Sequence, residues 1–140
     1  MMESKSGIEA VYETLRCDGF DPLALWDTVE QDLSLLSELV RLFSDEYPQM
    51  LLDIEQAVTQ KDAISLSRAA HKLKGALLQL AAPKAASLAA DLENCAHCVS
   101  LTNLEGLVNQ LRGEVDSLLP VLKTMVSNPT TRRSNRGEHN

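Results

Sequence analysis

From Leu33 to Met125 the apolar residues recur at intervals of three and four, and the pattern is cut at intervals by residues that start or stop helices. That spacing puts side chains on one face of an α-helix, whereas a half-buried strand alternates every second residue. The chain is thereby confined to amphipathic helices packed face to face. Its make-up agrees: 44% of residues are hydrophobic but only 4% are aromatic. Leu and Ala dominate, which suits helix packing through aliphatic and small side chains better than a β-sandwich. A length of 140 residues fits one domain with its own core and is short for two.

The breaks divide the chain. Residues 1–20 hold Ile8, Val11, Tyr12 and Leu15 at helical spacing before Cys17-Asp18-Gly19 interrupts, so a short helix or a loosely docked arm is expected. Asp21-Pro22 pairs a capping side chain with proline at the first helical position and opens a helix to about Thr28, carrying Leu23, Leu25 and Trp26. A long helix is expected from about Asp32 to Gln60, buried through Leu33, Leu36, Val40, Phe43, Tyr47, Met50, Leu51, Ile54 and Val58. Pro48 should kink it near Ser44–Tyr47. Asp62 caps a third stretch to about Ala81, and Pro83 starts another to about Cys98. Thr102-Asn-Leu-Glu105 is a capping box opening a last helix to Val126, with Pro120 as a second kink. The expected fold is all-α: an antiparallel four-helix bundle over 21–126 with a short extra N-terminal helix, and a polar, disordered tail over 127–140.

Charge and cysteines exclude several classes of function. The net charge is −7, and the tail from Thr131 carries +2, which leaves −9 on residues 1–130. A nucleic-acid binder needs a basic surface, so that class is set aside. No apolar run approaches the ~20 residues of a membrane span, and the N-terminus lacks a signal-peptide core. Three cysteines, Cys17, Cys95 and Cys98, form no disulfide framework; a cytoplasmic monomer is expected. Cys95 and Cys98, with His97 between them, could share a metal across one helical turn. A closed zinc site needs a fourth ligand, and a redox pair of this spacing belongs in a βαβ setting, so no metal is expected. No glycine-rich phosphate loop is present, which argues against ATP binding and against a kinase.

The chemistry converges on the stretch from Ile64 to Ala82. Leu66, Ala69, Ala70, Leu73, Ala76, Leu77 and Leu80 form its core-facing side, and at about 100° per residue His71 falls on the opposite side, towards solvent. Arg68, Lys72 and Lys74 surround it with positive charge, and Gly75 lies directly above it at i+4. An interior glycine costs a helix about 1 kcal/mol relative to alanine, so its use beside an exposed imidazole points to close approach by another molecule. Ile64 and Leu78 add exposed apolar surface, with Ser67 beside them. A neutral imidazole is a competent nucleophile near neutral pH, and a cation one turn away would support a phosphoryl group on it. The bland alternative is an ordinary surface histidine on a helical adaptor that binds partners without chemistry; a metal-binding bundle is a weaker one.

His71-Lys72-Leu73-Lys74-Gly75-Ala76, followed by Leu80-Ala81-Ala82, resembles the motif of the histidine-containing phosphotransfer (HPt) family. The resemblance extends through Phe43-Ser44-Asp45-Glu46-Tyr47-Pro48, the Lys61-Asp62 break and Leu92-Glu93, covering roughly Asp21 to Val126. It implies that His71 accepts a phosphoryl group at Nε2 from the phospho-aspartate of a receiver domain and passes it to another receiver. Lys74 would support that group, Gly75 would give clearance, and Glu93 would hydrogen-bond the other ring nitrogen and orient the imidazole. Ile64, Ser67, Arg68, Lys72, Gly75 and Leu78 would form the docking surface. The implied partners are response-regulator receiver domains and a hybrid sensor kinase. No cofactor is implied on this chain, since Mg²⁺ would belong to the receiver. Lys72, Leu77, Gln79 and Ala81 depart from the family's usual residues, and Ala81, where glycine is frequent, is expected to change how the helix ends.

Overall fold

The computed structural model describes residues 7–17, 19–96 and 104–127. Among them are six helices: α1 (Gly7–Glu13), α2 (Pro22–Thr28), α3 (Leu33–Gln60), α4 (Ala63–Gln79), α5 (Pro83–Cys95) and α6 (Leu104–Val126). The described residues hold no strand, only an isolated bridge between Cys17 and Phe20. No described helix is long and apolar enough to cross a membrane.

Three aspartates start helices by one device. Each accepts a hydrogen bond from the backbone amide three residues on: Asp21 from Ala24, Asp32 from Leu35 and Asp62 from Ser65. This satisfies amides that the first helical turn leaves without a partner. For α5 the first position is Pro83, whose missing N–H needs no partner, and no side chain caps it. Neither internal proline divides its helix: Pro48 lies within the single α3 and Pro120 within the single α6.

The four longer helices close a ring, α3 against α4, α4 against α5, α5 against α6 and α6 against α3. Their apolar stripes meet inside it in a helical bundle. Leu36, Ile54, Leu73, Leu77, Leu111 and Leu122 are fully buried there. Of the expected α3 stripe, Leu33 and Leu51 are only half-buried and the others are buried. On the outer side of the ring, Arg112 of α6 pairs with Glu55 of α3.

Within residues 1–20, the described α1 is a docked helix rather than a loose arm. Tyr12 of α1 is fully buried, donates its hydroxyl hydrogen bond to the Met125 carbonyl at 2.8 Å, and meets Trp26 of α2 edge-on with centroids 5.2 Å apart. Between α1 and α2 the chain turns at Gly19, whose φ of +94° is a conformation open to glycine; a Cβ there would lie 2.7 Å from that of Lys84. The Asp21 amide then donates to the Ala81 carbonyl, tying this element to the α4–α5 turn.

Ala81 adopts the left-handed conformation itself, at φ +58°. That costs an L-residue roughly 1–2 kcal/mol, and hydrogen bonds hold it in place: its amide reaches Leu78 O, and its carbonyl accepts from Asp21. The departure from glycine therefore leaves the α4–α5 turn tight. Helix α4 ends at Gln79 and α5 at Cys95, each shorter than the sequence expectation. Thr102 of the expected capping box, His97 and Cys98 of the cysteine cluster, and the tail beyond residue 127 lie outside the described residues.

Candidate phosphotransfer site

Helix α4 differs from its neighbours in charge. It carries Arg68, Lys72 and Lys74 and no carboxylate, while α3 beside it carries Glu38, Asp45, Glu46, Asp53 and Glu55 against Arg41 alone. His71 stands on the outer face of this cationic helix with its side chain 68% exposed. Its packing partners lie beneath it: Ala70, Leu73 and Leu77 are fully buried, so the amphipathic pattern fixes which way the imidazole points.

Glu93, on the next helix, reaches across to it. Its Oε2 lies 2.9 Å from His71 Nδ1, and its Oε1 accepts from Lys74 Nζ at 2.8 Å. The Glu93 and Lys74 side chains are half-buried, at 23% and 28% exposure, beside a ring that projects into solvent. The hydrogen bond from Lys74, followed by that from His71, holds the Glu93 carboxyl below the usual carboxylate range. At neutral pH it is therefore an acceptor only, and Nδ1 must be the donor in the contact. In the neutral ring this leaves the Nε2 lone pair directed at solvent. An exposed nitrogen nucleophile, with its other nitrogen hydrogen-bonded to a carboxylate and a cation one turn away, can take up an electrophile such as a phosphoryl group.

The remaining residues singled out from the sequence spread along α4. Ile64 and Leu78, 62% and 58% exposed, stand seven positions before and after His71, about 10 Å away on each side along the helix. Gly75 is exposed, and a Cβ added to it would meet nothing within 4 Å, so no packing inside the chain requires glycine there. Ser67 is half-buried. Arg68 and Lys72 are not drawn to the His71–Glu93 cluster; they line a groove of about 350 Å³ between α3 and α4 with Asp53, Gln56 and Gln60 on its other side. Neither is in an ion pair among the described residues.

Two features escaped the sequence. The first is the direct contact of Lys74 with Glu93; Lys74 follows His71 by three residues, and that spacing on a helix was the available signal. The second is the contribution of α3, where Leu39, Leu42 and Phe43 form a notch of about 160 Å³ with Ala76 and Leu80. Leu42 is 41% exposed there, and nothing local in the α3 pattern says that it borders α4.

No curated protein and no solved structure gives a match to the chain. The family model of the Hpt domain matches residues 38–124, from the second turn of α3 to the last turn of α6, with His71, Lys74, Gly75 and Glu93 all inside it. A helical bundle that presents this histidine, matched over most of its length by that family, belongs to the Hpt-domain proteins, the histidine phosphotransfer modules of two-component phosphorelays.

Proposed function

We propose that the chain is a phosphorelay intermediary in which His71 takes a phosphoryl group from the aspartyl phosphate of one receiver domain and gives it to another. The observation that carries this reading is the exposed imidazole whose Nδ1 is committed to an ionised Glu93. The Nε2 lone pair attacks phosphorus, the P–O bond to the receiver's aspartate breaks, and a carboxylate leaves. His71 keeps its Nδ1 proton throughout, and Glu93 balances the positive charge that develops on the ring. Onward transfer reverses the step: the N–P bond breaks and its electron pair returns to Nε2. Lys74 supports the phosphoryl oxygens. In this reading the chain brings no cofactor, and the Mg²⁺ of aspartyl-phosphate chemistry stays with the receiver. The decisive experiment offers a labelled phospho-receiver to the protein and looks for acid-labile, base-stable label on His71.

Docking uses the outer face of α4. The cationic helix on an otherwise acidic body is complementary to the carboxylate cluster of a receiver's active site, and Ile64 and Leu78 supply apolar contacts on both sides of His71. Arg68→Glu combined with Lys72→Glu should slow association with a phospho-receiver by tenfold or more at low ionic strength. The difference should shrink at 0.5 M salt, because screening shortens the reach of surface charge. Stopped-flow association rates across a salt series check this; an equal deficit at every salt concentration would remove electrostatic steering from the account.

Gly75→Leu separates stability from access. Leucine favours a helix interior over glycine by nearly 1 kcal/mol, and the position is open, so the melting temperature should stay level or rise. Transfer from a phospho-receiver should fall at least tenfold, since the new side chain stands one turn from the imidazole. A variant that transfers at the parental rate would show that the space above Gly75 serves no partner.

A further inference from the structure

Glu93 divides its two oxygens between two partners, Oε2 to the imidazole and Oε1 to the Lys74 ammonium. Of the three cations on α4, Lys74 is the one paired with a carboxylate among the described residues, and both members of that pair have half-buried side chains. Orienting His71 needs a hydrogen-bond acceptor but not a charge, so a glutamine could serve. A carboxylate here does something more: it cancels the charge of the one α4 cation that shares an acceptor with the imidazole. We propose that Glu93 is a positioning residue for Lys74 as well as for His71, holding the ammonium as a counter-charge and thereby limiting how strongly the phosphoryl group is retained. This inference rests on the phosphorelay reading above.

The consequence follows from charge. A phosphoryl group on Nε2 carries nearly two negative charges and competes with Glu93 for Lys74, whose flexible stem lets the ammonium turn to either acceptor. As long as Glu93 keeps a share of it, the phosphoryl oxygens receive less cationic support. The N–P bond then breaks more readily, the phosphoryl group leaving to water or to a receiver carboxylate and the electron pair returning to Nε2. An intermediary that must release its cargo gains from this balance; a store of phosphate would not.

Four proteins test it: the parent, Glu93→Gln, Lys74→Ala and the double variant, each shown by circular dichroism to be folded. Each is phosphorylated with phosphoramidate, a small-molecule donor that needs no receiver, and the half-life of phospho-His71 is followed at pH 7.5 after the donor is removed. Glu93→Gln should lengthen the half-life at least threefold when Lys74 is present and less than 1.5-fold when it is alanine. Any effect of the carboxylate on the ring alone appears in both backgrounds and cancels in the cycle. Equal factors in the two backgrounds, or a shorter half-life for Glu93→Gln with Lys74 in place, would overturn the proposal. Failure of the phosphorelay reading shows itself differently, as a protein that takes label from phosphoramidate but from none of a panel of phosphorylated receiver domains.

Discussion

His71→Gln should fold as the parent does and take up no label from a phosphorylated receiver. The imidazole is 68% exposed, and its one described hydrogen bond runs to Glu93, a contact that glutamine can make through its amide. Substitution at such a position is expected to shift stability by no more than about 1 kcal/mol, within reach of a thermal melt. Glutamine offers no nucleophilic nitrogen, because its amide lone pair is delocalised, so the transfer rate should drop below detection rather than by a modest factor. Gel autoradiography after mixing with the labelled receiver, with acid and base treatment of parallel samples, reads the result. A variant that labels as the parent does would place the acceptor elsewhere. A parent that binds the receiver yet never labels would make the chain an adaptor.

Trp26→Ala is expected to be the most destabilising of the changes considered. Trp26 is 5% exposed and packs edge-on against Tyr12, which is itself fully buried and hydrogen-bonded to Met125 near the end of α6. Truncating a buried tryptophan costs about 3–5 kcal/mol, against a total of about 5–15 kcal/mol for a domain of this kind. The whole bundle should feel the loss, because α1, α2 and the residues flanking α2 supply side chains to its core: Tyr12, Phe20, Leu25 and Val29 join the same apolar cluster and all precede residue 38, where the family match begins. Urea unfolding followed by helical circular dichroism should show one transition, moved to markedly lower denaturant. A shift worth less than about 1 kcal/mol, or a separate early transition that leaves the bundle intact, would mean that α1 and α2 are accessory. Tyr12→Phe should cost less, since it removes the hydroxyl but keeps the ring.

The helices were legible wherever their signals are local. Asp21, Asp32 and Asp62 announce helix starts through a side chain and an amide three residues apart, and each makes that bond. The outward direction of His71 follows from Leu66, Ala70, Leu73 and Leu77 on the same helix, which needs no knowledge of any other element. What stayed ambiguous depends on distant partners. Helix α1 is fixed by a bond from Tyr12 to a carbonyl 113 residues away, and the break at Cys17–Gly19 makes it look detached when only neighbours are considered. Arg112 finds Glu55 across 57 residues, with no pattern in either helix to announce it. The left-handed turn at Ala81 is of the same kind, because the Asp21 amide that meets its carbonyl comes from the far side of α3 in the sequence. Lys74 and Glu93 lie between these cases: the sequence points to each beside His71, but their bond to each other appears only when α4 and α5 are set against one another.

The buried phenol of Tyr12 also decides how this module could be carried. Its bond to Met125 brings residues near both limits of the described chain together at one pole, and the Asp21–Ala81 bond ties the α4–α5 turn to the same element, whereas His71 lies eight residues, or about 12 Å, back along α4 from its end at Gln79. A tether or reporter fixed to α1 or to the last turn of α6 therefore sits at that pole and not on the flank where the imidazole stands.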